Sequence, residues 1–205
     1  MNTTQAPISA VDAAHARRSI RNYSPQPVSE ETISALLTAA GKAPSAWNIQ
    51  PWKVHVIRNQ ELKNKLQEAA YSQSQVGSSQ VLLVITSDMQ SSLANLESRF
   101  AYLGQEKAAS QADSVRSVFA KMNTDAQENW ARSQANIFLG YLLLVASSLG
   151  LGTSPMLGFD PIKVKEILGL AENVQIPALV AVGWPAEEGF VSSRIEFSEL
   201  AQHWN

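Results

Sequence analysis

The chain has 205 residues, 45% of them apolar and 17% charged, with a formal net charge of −2. That length can bury a core within one domain, and the near-neutral balance excludes a global basic field for nucleic acid or anionic membrane. Cysteine is absent, which excludes disulfides, thiol catalysis and cysteine-ligated metal.

Residues 1–8 are polar, with no basic region followed by an apolar core, so no signal peptide is expected. The longest apolar run, residues 141–146, is too short to span a bilayer. The expected compartment is the cytoplasm. A low charged fraction is also what surface hidden in an oligomer gives.

Ser9, with Asp12 three residues on, forms a capping box that opens a helix over 11–18 carrying Val11 and Ala14. Residues 23–27 are extended or turning, because Pro25 and Pro27 each disfavour helix in the residue before them. Ser29 caps a second helix, with Glu30 and Glu31 in its first turn, Ile33, Leu36, Leu37 and Ala40 on one face, and Gly41 as its stop. Residues 43–52, Ala-Pro-Ser-Ala-Trp-Asn-Ile-Gln-Pro-Trp, form a proline-bounded loop rich in amides and hydroxyls that also carries two tryptophans. Residues 52–57 read as a half-alternating strand, and Asn59 caps a helix whose apolar side is Leu62, Leu66, Ala69 and Ala70. The polar stretch 71–75 breaks that pattern before a short, continuously apolar strand at 81–85.

From 91 to 109, Leu93, Leu96, Phe100 and Leu103 recur at helical spacing, and a second helical pattern with Val115, Val118, Phe119 and Met122 follows. Thr124-Asp125 starts the longest helix, reaching about Leu149. Its segment 137–149 is apolar almost all round, which suits a core or a subunit interface. Gly150-Leu151-Gly152 ends it, and 153–159 reads as a Gly/Pro-bearing link. Asp160 with Pro161 opens another helix, with Val164, Ile167 and Leu168 facing inward before Gly169. Residues 178–182 form a buried strand ended by Gly183-Trp184-Pro185. A polar tail with Arg194 and a short closing helix from Ser198 follow. The expectation is one domain over residues 1–205, α+β, with many helices and three or four strands.

The stretch Arg17-Arg18-Ser19-Ile20-Arg21 places three guanidiniums and a hydroxyl at the end of the first helix. Guanidiniums present forked, permanently charged donors that match phosphate oxygens. The same residues would also serve as a solvated helix end complementing the dipole. Elsewhere, Gly150-Leu151-Gly152 follows a helix rather than a strand, and Pro155 stands where a third glycine belongs, so it is no dinucleotide fingerprint. His15, His55 and His203 lack metal-type spacing, and no serine lies in a strained nucleophile elbow. Glu30-Glu31 and Glu187-Glu188 read as a helix start and a turn. No self-sufficient catalytic machine is displayed, so if the chain is an enzyme a cofactor carries the chemistry. The polar islands suit a phosphorylated ring cofactor: arginines for its phosphate, and Ser45, Asn48, Gln50, Gln73 and the Gly158 backbone for its ring, with Trp47 and Ile49 as apolar cover.

Three pieces carry a resemblance: residues 17–23 (Arg-Arg-Ser-Ile-Arg-Asn-Tyr), residues 43–52, and Gly150-Leu151-Gly152 followed by Pro155-Met156-Leu157-Gly158-Phe159-Asp160. In order and spacing the chain resembles the FMN-dependent, oxygen-insensitive nitroreductase family, especially its short bacterial members, over residues 11–194. The resemblance implies a nitroreductase-like fold: a central, mostly antiparallel sheet flanked by helices, with the long buried helix at a homodimer interface. It implies FMN, with NADPH or NADH as electron donor. Arg17, Arg18, Ser19 and Arg21 belong to the cofactor-binding set, the first three holding the phosphate and ribityl chain and Arg194 helping. Pro44, Ser45, Asn48 and Gln50 belong to it too, and the first three approach from the second subunit. Gln73 touches the pyrimidine side, Gln134 lies near the flavin of the other chain, and Pro155, Met156, Leu157 and Gly158 complete the set. Leu157 and Gly158 present N–H groups to the N5 and O4 edge. Leu157 stands where many relatives carry Glu, Ser72 where Asn is common, and Ser192 where a basic residue often precedes Arg194.

The activity so implied is a ping-pong oxidoreductase that passes hydride from NAD(P)H through flavin N5 to a nitroaromatic or quinone-type small-molecule acceptor. No side chain is expected as an indispensable acid or base. Alternatives are another flavin reaction on the same fold, such as enal reduction, and a flavin-binding or sensing module with little turnover.

Overall fold

The computed structural model describes residues 8–204, so of the stretch read for a leader peptide, residues 1–7 lie outside the described residues. In chain order the elements are α1 (Ala10–Ala16), α2 (Glu30–Ala40), β1 (Trp52–Ile57), α3 (Gln60–Ala69), α4 (Ser74–Ser78), β2 (Val81–Ser87), α5 (Met89–Ala94) and α6 (Leu96–Arg99). They continue with α7 (Gln105–Phe119), α8 (Thr124–Ser148), β3 (Gly152–Met156), α9 (Pro161–Leu168), β4 (Gln175–Gly183) and α10 (Phe197–Leu200). Single 3₁₀ turns lie at Ala46–Asn48 and Ala101–Leu103.

The strands form one sheet in the order β1-β2-β4-β3, and every pairing is antiparallel. β2 and β4 are central and covered on both faces, which is why they read as unbroken apolar runs. Side chains alternate across the sheet. Leu83, Ile85 and Val180 pack with Ile33 and Leu36 of α2 and Phe138 and Leu142 of α8. Leu82, Val84 and Leu179 pack on the other face with Leu66 of α3, Val76 of α4 and Val164 of α9. A third cluster joins Ile49 to α5, α6, α7 and the first half of α8.

Helix starts follow the polar caps. Ser9 Oγ accepts from Asp12 N at 3.1 Å, Ser29 Oγ from Thr32 N at 3.2 Å and Asn59 Oδ1 from Leu62 N at 2.8 Å. Asp160 Oδ1 accepts from both Ile162 N and Lys163 N.

Several expectations are corrected. Residues 152–156, expected as the end of a helix and a link, are strand β3, pairing Thr153 with Val182 and Met156 with Leu179. β3 is an edge strand, where a proline such as Pro155 is tolerated because its missing N–H need not break the ladder. The first helix ends at Ala16, not at 18, since Arg17 is non-helical with ψ 127°. The 91–109 pattern is broken into α5, α6 and a 3₁₀ turn. Gly104, at φ +84°, divides these from α7, which runs unbroken across the expected boundary. Within one chain α8 is not buried all round: Ile137 and Tyr141 are 39% and 42% exposed.

Candidate functional site

Residues 17–20 leave α1 in extended conformation and run beside β3. Ser19 bridges Thr153 in parallel, and Ile20 N donates to Thr153 O at 2.9 Å. The approach is close enough that a Cβ on Gly152 would meet Ile20 Cβ at 3.0 Å. Ile20 is buried, so its neighbours Ser19 and Arg21 are turned towards the surface. The Tyr23 hydroxyl donates to Ile20 O at 2.6 Å, and burial, then the Glu187 charge, pushes that phenol above its ordinary range. Glu187 Oε1 accepts from Arg21 N at 2.7 Å and Asn22 N at 3.3 Å, while Oε2 accepts from Asn22 Nδ2 at 2.6 Å.

Arg17, Arg18, Ser19, Arg21 and Arg194 line one cleft of about 230 Å³ with Phe190. Among the described residues none of these four arginines pairs with a carboxylate; the ion pairs there belong to Arg58, Lys65 and Arg116. Arg18 Nη1 donates to His15 O at 2.6 Å and Arg17 O at 2.8 Å, and Arg194 Nη1 to Ser193 O at 2.6 Å. The Arg21 guanidinium lies 5.8 Å from the Phe190 ring centroid. Burial first, then the charges of Arg194 and Arg18, hold the Arg17 guanidinium below its ordinary pKa. A partly desolvated cation repelled by two others is a charge set without its anion, and a phosphate dianion fits it.

β3 carries the chain from this cleft towards Leu157 and Gly158, its end at Met156 lying about 10 Å beyond Thr153 at the usual rise per residue. Gln73 Nε2 donates to Gly158 O at 2.7 Å and to Ala70 O at 3.1 Å, and Gln73 Oε1 accepts from Gln75 Nε2 at 3.2 Å. The left-handed pair Tyr71 (φ 54°) and Ser72 (φ 59°) delivers Gln73 to that position. Leu157 is 70% exposed and Gly158 is exposed, whereas the Met156 side chain is buried in the core.

The Pro44–Gln50 loop lies elsewhere. It precedes β1, the sheet edge opposite β3. Trp47, Asn48 and Gln50 are all left-handed, at φ 52°, 54° and 49°. Side-chain bonds hold them there: Ser45 Oγ accepts from Gln50 N at 2.9 Å, Asn48 Oδ1 from Gln50 Nε2 at 2.8 Å, and Gln134 Oε1 from Ala46 N at 3.0 Å. Trp47 is anchored against Phe119 and Trp130. One chain therefore gathers Arg17, Arg18, Ser19, Arg21 and Arg194 in a cleft, and joins Gln73 to Gly158 further along the same edge. Pro44, Ser45, Asn48, Gln50 and Gln134 collect at the opposite edge.

Sequence reasoning missed Glu187, read as a turn residue, and Gly189. Glu187 fastens residues 21 and 22, which lie 166 and 165 positions away, so no local spacing signals it. Gly189 sits at φ +73°, and a Cβ there would come 2.8 Å from Arg18 Cβ. Among the described residues no three His, Cys, Asp or Glu side chains gather as a metal site, and no helix is long and apolar enough to cross a membrane.

The family model described as "Nitroreductase family" matches residues 14–184. The chain is 45% identical to the Thermus thermophilus protein named "NADH dehydrogenase", over 98% of each chain. It is 31% identical to "Putative NAD(P)H nitroreductase YdgI" of Bacillus subtilis, over 91% of this chain and 93% of that one. Among solved structures, the "putative nitroreductase in complex with FMN" of Exiguobacterium sibiricum superposes with a TM-score of 0.89 at 27% identity, covering 99% of this chain and 100% of the other.

Proposed function

The chain belongs to the nitroreductase family, and we propose that it is an FMN-dependent NAD(P)H oxidoreductase reducing nitroaromatic or quinone-type acceptors. The observation that carries this reading is the cleft of unpaired arginines set at one end of β3, with the Gln73-braced Leu157-Gly158 backbone at the other. The names of the Thermus and Bacillus relatives and the FMN complex of the Exiguobacterium structure support it.

When bound, FMN would supply hydride transfer at N5 between NAD(P)H and the acceptor, in a ping-pong cycle. The chain's part is binding and orientation. Arg17, Arg18 and Ser19 would hold the phosphate and ribityl end, with Arg194 helping. The Leu157 and Gly158 N–H groups would serve the reacting edge, where fixed donors would stabilise developing negative charge without reorganising. Gln73 acts by holding Gly158, because both of its amide atoms are already engaged within the chain. Water supplies protons. The Pro44–Gln50 loop and Gln134, at the opposite sheet edge, are the second subunit's contribution in a homodimer. That dimer would also cover Ile137 and Tyr141 of α8. The reading takes residues 1–205 as one FMN-binding domain working in the cytoplasm.

The test is a visible absorption spectrum of the purified protein with identification of the released chromophore. The expected result is a flavin spectrum and FMN, with bleaching by NADPH or NADH and recolouring by a quinone. A preparation that stays colourless when saturated with FMN would overturn it. Bound flavin that bleaches but passes nothing to quinone or nitroaromatic would favour a sensing module or another acceptor such as an enal.

A further inference from the structure

We propose a second ligand site, for a compact carboxylate or phosphate anion, in the cleft between β1, the α5–α6 pair and the loop after α9. It is larger than the arginine cleft, at about 600 Å³ against about 230 Å³. It is lined by Lys53 of β1, Arg99 at the end of α6, and Leu170 and Val174 of the loop. It lies beside β1, whereas the arginine cleft of the same chain lies beside β3, and Gln50, which the proposed dimer brings to the second subunit's flavin, borders it.

The charges carry the argument. Among the described residues neither Lys53 nor Arg99 pairs with a carboxylate, although Arg58, Lys65 and Arg116 all do. Asp88 is the one acid in the lining, and its carboxylate is already engaged: Oδ1 accepts from Ser91 N at 2.9 Å as the cap of α5, and from Asn173 Nδ2 at 3.2 Å. Asn173 Nδ2 also donates to the buried Glu128, which fixes Asp88 as part of a structural web. Lys53 and Arg99 thus outnumber the one carboxylate found among the described lining residues, whose charge its neutral N–H partners leave in place.

The interior is polar by construction. Thr86 is, with Ser87, one of two buried polar residues that end the apolar β2, placed where the register with β4 shifts between Ile85 and Ser87. Its Oγ1 donates to Lys53 O at 3.3 Å and pairs with His55 Nε2 at 3.2 Å. Pro51, Leu170 and Val174 add apolar wall beside these polar groups.

The experiment is calorimetric titration of the full chain, saturated with FMN, with inorganic pyrophosphate and separately with citrate at low ionic strength. The expected result is one saturable site per chain for at least one anion, which tells phosphate from carboxylate preference. Lys53→Gln with Arg99→Gln should weaken it about tenfold or more. Lys107→Gln with Lys121→Gln, which removes the same charge from exposed positions elsewhere, should leave it within about twofold. Arg99→Gln alone should shift affinity in the same direction, and answers the case in which the double variant folds poorly. No saturable heat with either anion, or equal weakening by both charge-matched pairs, would overturn the proposal. An unchanged flavin spectrum during the titration locates binding away from the flavin, and a spectral change tracking the heat would overturn it as well.

Discussion

The side-chain carbonyl of Gln134 accepts a hydrogen bond from the backbone N–H of Ala46 at 3.0 Å, fastening the middle of α8 to a loop 88 residues earlier. That loop holds three non-glycine residues in the left-handed region, so its shape depends on contacts that over-determine it. If Gln134 and the loop serve one flavin from the second subunit, they act as one unit. Replacing Gln134 by Leu should cost about 1 kcal/mol in denaturant unfolding and raise the KM for acceptor. Gln134→Glu keeps an acceptor oxygen and should recover most of both effects. Equal behaviour of Leu and Glu variants would show that the bond does not set the loop.

Removing the arginine charges should separate binding from stability. Arg17→Ala with Arg18→Ala loses charge-assisted bonds worth roughly 1.5–3 kcal/mol each, so FMN should be lost on dialysis. Without FMN the same change relieves repulsion between Arg17, Arg18 and Arg194. Solvent screening makes that relief small, and the Arg18 bonds to His15 O and Arg17 O are lost with it, so the apoprotein should melt within a few degrees of wild type. A variant that keeps flavin through dialysis would refute the phosphate assignment.

Gly189→Ala tests the same cleft through the backbone. The position needs φ +73°, and the new methyl would press on Arg18 Cβ at 2.8 Å. A stability loss of about 1–2 kcal/mol is expected, with weaker FMN binding because Arg18 is displaced. Spectrophotometric FMN titration together with thermal melting measures both.

Much of this fold was legible because it is written locally. Ser9, Ser29, Asn59 and Asp160 announce helix starts, and each makes the bond its position implies. β3 was not legible, because Gly152-Thr153-Ser154-Pro155-Met156 has poor strand chemistry and becomes a strand only through pairing with β4. The left-handed backbone at Trp47, Asn48 and Gln50 was equally hidden, since tertiary bonds impose it on Trp47 and Gln50, which ordinarily avoid it, as well as on the more permissive Asn48. The candidate site divides the same way. Residue types pointed to the arginines, the amides and the Gly158 edge, while their separation onto opposite edges of the sheet, and the grip of Glu187 on residues 21 and 22, follow from chain topology alone.

The pH dependence of stability should show the α6–α7 staple. Arg116 holds Glu97 through both carboxylate oxygens, each at 2.8 Å, and also donates to Leu93 O at 3.0 Å. That hydrogen-bonded pairing, foremost, pulls the Glu97 carboxyl from 4.5 down to about 2. A carboxyl lowered by folding binds its proton more readily in the unfolded chain, so protonation favours unfolding. Its stabilisation is complete above pH 4.5 and disappears as pH falls from there to about 2. Glu97→Gln should therefore melt below wild type at pH 6, and the two curves should converge as the pH approaches 2. Parallel melting curves across that range would show that the pair contributes nothing that titrates, as exposed ion pairs often do.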